Sequence, residues 1–224
     1  YNTGKSENGW ATSFLMSRTA GSMYADGTEF EGYNYYLAVG YQPSAKHDLQ
    51  FTITGAPQVH NQRSFQSTIS DHIKYGGTEE DQNRKYNQNW GYLNGEEYSM
   101  TRNYFHKPVM SLNWDWKITD ATTLNSVAYA SFGRGGGTGD AGRINGKFYN
   151  ALPRSADGLV RFDDIVKWNQ GGAVADFGAV NATPGLSNGT NGIIRRSSIN
   201  SHNWMGIITS LNHKINDNFS PTVG

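Results

Sequence analysis

The chain contains no cysteine, which excludes disulfide staples and thiolate metal sites. It has no excess charge of either sign: 19 basic residues stand against 19 acidic ones. No Lys/Arg run supplies the electrostatic footprint of a nucleic-acid binder, so nucleic acid is not an expected partner. Long hydrophobic runs are absent as well. No stretch approaches the roughly 20 apolar residues of a helical membrane span, and no signal-peptide pattern opens at Tyr1. Hydrophobic residues fill only 36% of 224 positions, too few for a conventional core of this size.

What is present points elsewhere. Aromatic residues reach 13%, and there are 27 glycines. Disordered chains share the low hydrophobicity but are poor in aromatics. A transmembrane β-barrel accounts for both, with an apolar outside, a wet polar inside and aromatic girdles between lipid and water. The periodicity agrees. Tyr33, Tyr35, Leu37, Val39 and Tyr41 alternate with Asn34, Tyr36, Ala38, Gly40 and Gln42. After a turn at Pro43-Ser44-Ala45-Lys46, Leu49, Phe51 and Ile53 alternate with Gln50, Thr52 and Thr54. A period of two with one apolar side is the signature of strands.

The same unit recurs along the chain. Met110, Leu112, Trp114, Trp116 and Ile118 form one apolar set, and Thr119 to Thr122 turns the chain into a strand over 124–132. Met205, Ile207 and Leu211 mark another strand, followed by a turn at Lys214 to Asn218. Trp10, Phe14 and Met16 mark an earlier one. Six complete strands are expected, with a seventh starting near Phe219. Connections at the other strand ends are long, from about Gly55 to Arg102 and from Gly133 to Ser201. Short turns on one side and long loops on the other match the periplasmic and extracellular ends of outer-membrane barrels. Within the last loop, Leu159, Phe162, Ile165, Val166 and Trp168 have roughly helical spacing and are expected to hold it together. Single-chain barrels close on eight or more strands, and an open sheet edge does not sit in lipid. The expectation is a piece of a larger barrel.

Several segments carry a resemblance. They are Gly27 to Tyr33, Gly55 to Arg63, Arg102 to Pro108, Phe132 to Gly137, Ser197 to Trp204 and Leu211 to Phe219. In order and spacing they resemble the barrel region of TonB-dependent outer-membrane receptors of the Bacteroidetes type. The resemblance implies an all-β fold: an antiparallel transmembrane barrel of about 22 strands, of which this chain would supply about seven. It implies active transport of a scarce nutrient across the bacterial outer membrane, with siderophore, cobalamin, haem and glycan classes all open. Residues 1–224 would be barrel wall and capture loops, without the plug domain or the C-terminal strands. The chain departs from a complete receptor in having no plug, no TonB-contacting segment and no aromatic final strand before Gly224. Implied partners are membrane lipid, the nutrient, TonB through the missing N-terminal region, and a surface lipoprotein capping the loops.

Chemistry-bearing motifs are sparse. Gly137, Gly139 and Gly142 match G-x-G-x-x-G, but no helical pattern follows, so Gly133 to Gly142 reads as a flexible extracellular loop. His47, His60, His72, His106, His202 and His213 form no ligand pair at helical spacing, and no metal site is expected. His47 and His213 are expected to be solvated near the short turns. Glu79-Glu80-Asp81 and Asp163-Asp164 match no calcium loop and read as solvated charge. Asn181-Ala182-Thr183, Asn188-Gly189-Thr190 and Asn218-Phe219-Ser220 fit the glycosylation pattern by chance. No catalytic set stands out, so neither enzyme activity nor a cofactor is expected. Most loop aromatics, including Tyr75, Tyr86 and Tyr98, are expected to pack the loops. Ligand contacts are expected from Trp90, Tyr92, Tyr104, His106 and Arg134 on those loops. Two other readings compete. A soluble carbohydrate-binding β-sandwich would show turn signals every 8–12 residues. A small complete barrel would need eight strands.

Overall fold

Alternation is what the chain turns into structure. In a computed structural model describing residues 1–64, 67–185 and 191–224, 54% of the chain is strand and 8% helical, an all-β fold dominated by antiparallel pairing. The Asn188-Gly189-Thr190 triplet lies outside the described residues. In chain order, β1 (Trp10–Ser22), β2 (Glu29–Ser44) and β3 (His47–Gly55) are joined by short turns, and β4 (Gln58–Asn61) follows. The first long connection holds α1 (Ile69–Lys74), β5 (Trp90–Leu93) and β6 (Glu96–Ser99). The chain returns through β7 (Arg102–His106), β8 (Val109–Lys117) and β9 (Thr122–Arg143). The second connection holds β10 (Val160–Arg161) and α2 (Phe162–Asn169), before β11 (Gly192–His213) and β12 (Thr222–Val223).

The main sheet is a meander interrupted at one level. β3 and β4 pair with β2 at one shared offset, Tyr35 opposite Gly55 and Gly32 opposite Gln58. β7 and β8 share an offset on β9 in the same way, His106 opposite Arg134 and Val109 opposite Ser131. So β3–β4 and β7–β8 are two long strands, each broken once, at Ala56-Pro57 and Lys107-Pro108. The cause is local: proline has no N–H to give the ladder. Spatially the order is β1, β2, β3–β4, β7–β8, β9, β11 and β12, all antiparallel. The six expected long strands and their short turns are there, and β12 lies where a seventh was expected. The last two strands are longer than expected. The Gly133–Gly142 segment is not a flexible loop but the second half of β9, paired residue by residue with Ile193 to His202 of β11.

Register sorts the side chains onto two unlike faces. Trp10, Phe14 and Met16 of β1 share a face with Leu37, Val39, Phe51, Ile53, Met110 and Leu112. Ala128 and Ala130 continue it, as do Met205 and Ile207 of β11. The other face is more polar, with Ser13, Asn34, Gln50, Thr52, Asn113 and Asn125, and it also carries Leu15, Tyr36, Tyr129, Trp204 and Ile208. The apolar face is uncovered: Met16 is 67% exposed, Met205 66% and Ile207 76%. At the short-turn end it closes in an aromatic row. Trp10 stacks on Tyr41 at 4.1 Å, and Trp114 on Trp116 at 5.6 Å with His47 against both. His47 is thus not merely solvated, since its Nδ1 accepts from the Trp114 indole N–H at 3.2 Å. His213 likewise has a partner, with its Nδ1 2.9 Å from the Thr122 hydroxyl.

The buried core sits in the layer built from the two long connections. Tyr149, Phe162, Ile165, Trp168, Val174 and Phe177 form a cluster with Met100, Ile144 and Ile193 from the strand ends. Of the residues with helical spacing, Phe162, Ile165 and Trp168 are buried on α2, whereas Val166 is exposed on it and Leu159 precedes it. Trp168 is fully buried and its indole N–H donates to the Ala179 carbonyl at 2.9 Å. Asp163 and Asp164 are no free charge run. They occupy the first turn of α2, where negative charge is favoured, and Asp164 pairs with Arg161 at 2.6 Å.

Candidate functional site

Three hollows lie where the broken strands meet the upper layer. On the apolar face, a hollow of about 470 Å³ is lined by Tyr33, Val59, Tyr104, His106, Phe132 and Arg134. It exists because the ladder opens at Pro57 and Pro108, and because Gly55 carries no side chain. A Cβ there would stand 2.4 Å from the Tyr35 hydroxyl, so only glycine lets that ring cross the strand and reach the His106 Nε2 at 2.8 Å. Tyr104 bonds the Ser197 hydroxyl at 2.8 Å. Glu31, also on this hollow, is held by Arg18 at 2.8 Å and accepts from the Tyr33 hydroxyl at 2.6 Å. Arg134 is exposed and has no hydrogen-bond or ion-pair partner among the described residues.

On the opposite face, a hollow of about 410 Å³ is bounded by Phe30, Asn34, Gln58 and His60, with Gly32 and Ala56 as its small-residue floor. Two amides, an imidazole and a ring stand there with the Glu31 carboxylate, which lines both hollows, and together they make a surface rich in hydrogen-bonding groups. Asn34 is fixed by donating to the Ser17 hydroxyl at 3.2 Å. The third hollow, about 510 Å³, lies under the β5–β6 hairpin and is ionic, with Arg18, Glu29, Glu97, Arg102 and Arg195 on its walls. Partial burial, and then the neighbouring Glu29 carboxylate, raises the Glu97 carboxyl above its ordinary range.

Of the five expected ligand residues, Tyr104, His106 and Arg134 come together, and Trp90 and Tyr92 stand apart. The three are strand residues of β7 and β9 on the apolar face, which corrects their expected placement on loops. Trp90 belongs to the packing of the upper layer. It lies over Gly27, whose φ of +63° belongs to the β1–β2 turn and where a Cβ would sit 2.2 Å from the indole. Tyr92 is beside it at 5.6 Å, on the small sheet formed by β5, β6 and β10.

Polar groups make the upper layer rigid. The Asn89 amide donates to Ser64 at 2.7 Å, and its oxygen accepts from the Tyr149 hydroxyl at 2.7 Å. Burial pushes that phenol up to about 12, so Tyr149 stays a neutral donor. Asn87 donates to the Asp26 carbonyl at 2.8 Å, tying the layer to the β1–β2 turn. Arg161 pairs with both Asp164 and Asp176, which holds the Asp176 carboxyl below its ordinary range. Tyr75 and Tyr86 stack at 5.0 Å, and Arg195 lies 4.1 Å over the Tyr98 ring. These aromatics pack the loops, as expected. His72 bonds the Asn83 carbonyl at 2.6 Å. No group of acidic or histidine side chains suited to a metal ion occurs among the described residues.

The fold and these hollows define a class only at the level of architecture, an antiparallel sheet with one apolar and one polar face under a folded cap. No family model, curated protein or solved structure matches the chain.

Proposed function

We propose that the chain is wall and cap of an outer-membrane β-barrel that imports a scarce nutrient, with TonB supplying force through a plug outside residues 1–224. The observation that carries the membrane reading is the bare apolar face. Six neighbouring strands present Phe14, Leu37, Phe51, Leu112 and Ile207 on one side, with no second sheet against them among the described residues. A water-exposed patch of that extent is an aggregation liability, whereas in a bilayer it is the required surface. The aromatic row of Trp10, Tyr41, Trp114 and Trp116 then forms the periplasmic girdle. Past Phe14 the outer edge of β1 has no partner strand among the described residues, its first half meeting only Tyr1 to Thr3, and β11 is paired on its outer side only at Leu211 and Asn212. Further strands must cover both edges in lipid, which favours a large barrel over a small complete one. A soluble β-sandwich would have filled the apolar face with a second sheet.

On this reading the polar face lines the interior, and the hollow around Phe30, Asn34, Gln58 and His60 is the ligand-facing surface. The siderophore, cobalamin, haem and glycan classes remain candidates for the nutrient. The test is fractionation of the source cells followed by mass spectrometry of the intact polypeptide. The expected result is recovery from the outer membrane, only with detergent, at several times 24.8 kDa. Recovery from the soluble fraction without detergent would falsify the membrane reading.

A further inference from the structure

Small residues make a trough on the apolar face. Ala128 and Ala130 of β9 lie between Met110 and Leu112 on one side and Met205 and Ile207 on the other. The trough is a shallow depression open to the outside, with a volume of about 550 Å³. Following the same face of β9 upward, the next positions are Phe132 and then Arg134. The Phe132 ring therefore stands between the trough and the hollow that holds Arg134, and it lines the hollow. The charges there are unequal. Glu31 is already neutralised by Arg18 and the Tyr33 hydroxyl. His106 faces Arg134 across the ladder and bonds Tyr35. Arg134 is left as the cation without a partner among the described residues.

We propose that this face binds one phosphate-bearing diacyl lipid, its phosphate on Arg134 and an acyl chain in the trough over Ala128 and Ala130. The inference rests on the membrane reading and adds to it a specific lipid site. Guanidinium matches phosphate with two parallel hydrogen bonds, and a cation at the rim of an apolar surface is placed for a headgroup. The dimensions agree. Ala128 to Arg134 is about 20 Å of strand, which at a tilt of about 45° rises about 14 Å, close to one leaflet's half of a roughly 30 Å hydrocarbon core.

The experiment uses the full-length protein purified and delipidated in dodecyl maltoside. Native mass spectrometry compares phosphatidylglycerol with diacylglycerol carrying the same chains. The expected result is one retained phosphatidylglycerol, favoured about tenfold over diacylglycerol. Arg134→Gln removes that preference, and Ala130→Phe, which fills the trough, weakens both lipids. Both positions are on the sheet surface, and heat-dependent gel migration shows whether each variant still forms its barrel. A folded, detergent-dependent protein whose R134Q variant binds phosphatidylglycerol as the parent does overturns the lipid site and leaves the membrane reading standing. A protein that needs no detergent removes both. Paired copies seated on this face with no lipid phosphorus would make it a subunit contact and also overturn the proposal.

Discussion

The upper layer and the sheet beneath it place their hydrophobic residues by opposite rules. In the layer, Trp168 and Ile144 are fully buried, and polar groups such as Asn87 and Asn89 are buried with partners in hand. In the sheet, Met16, Met205 and Ile207 lie open on one face. The same chain thus builds a water-type core over one stretch and an outward apolar surface over another. On the membrane reading proposed above, the two rules answer to two solvents, water around the layer and lipid against the sheet. The contrast teaches that low overall hydrophobicity here reflects how apolar residues are distributed, between one face of the sheet, one loop layer and a smaller set on the other face that includes Leu15, Tyr129, Trp204 and Ile208.

The contrast can be broken from either side. The largest expected effect is Trp168→Ala, which empties the centre of the layer and orphans the Ala179 carbonyl. It should cost the layer about 3–5 kcal/mol, read as faster amide exchange over residues 145–185 with β2 and β3 unaffected. Spreading of that effect into the lower sheet would show that the two regions fold as one. Next is Ile207→Arg on the bare face. In bilayers it should cost about 2–4 kcal/mol of barrel stability, while the same change on a water-facing surface stays within about 0.5 kcal/mol. A neutral result in lipid vesicles contradicts the lipid-facing assignment. Asn89→Ala is expected to cost about 1–3 kcal/mol, because it leaves the buried Tyr149 hydroxyl unpaired. Adding Tyr149→Phe should recover part of that loss in the same unfolding measurement.

The smallest effect is one of pH. Glu97 holds its proton more tightly in the docked hairpin than in the unfolded chain. Docking of β5–β6 should therefore strengthen as pH falls through the raised value and level off below the ordinary carboxylate range. The group is exposed, so the change is small. Glu97→Gln should flatten it, and an unchanged pH profile of hairpin amide exchange in that variant would assign the effect elsewhere.

Much of this architecture was legible in the sequence. Period-two alternation placed β2, β3 and β8, and the polar turns gave the hairpins at Pro43 to Lys46 and Thr119 to Thr122. The upper half of β9 was not legible, because alternation is written in side chains. At Gly133, Gly135, Gly137 and Gly139 there are none, and the strand is specified instead by its partner β11. The β5–β6 hairpin was readable and missed. Asn94-Gly95, with φ of 53° and 80°, is a tight-turn dipeptide between Leu93 and Glu96. Thr68 and Asp71 likewise spell the capping box of α1. For the site, sequence picked out Tyr104, His106 and Arg134, which converge, but not the face they occupy. That depends on register, which the two prolines obscure. The hollow of Asn34, Gln58 and His60 was invisible because β2 and β4 meet only across the break after Gly55.

Those prolines carry one more consequence. Pro57 and Pro108 interrupt adjacent strands near the same height, while β2 on one side and β9 on the other pass through unbroken. Pro57 still accepts from the Tyr33 N–H at 2.9 Å, so the gap is stitched at one margin. A sheet with its cross-links thinned along one line creases there. Any bending of this sheet is expected at the level of the hollows, where the fewest ladder bonds cross.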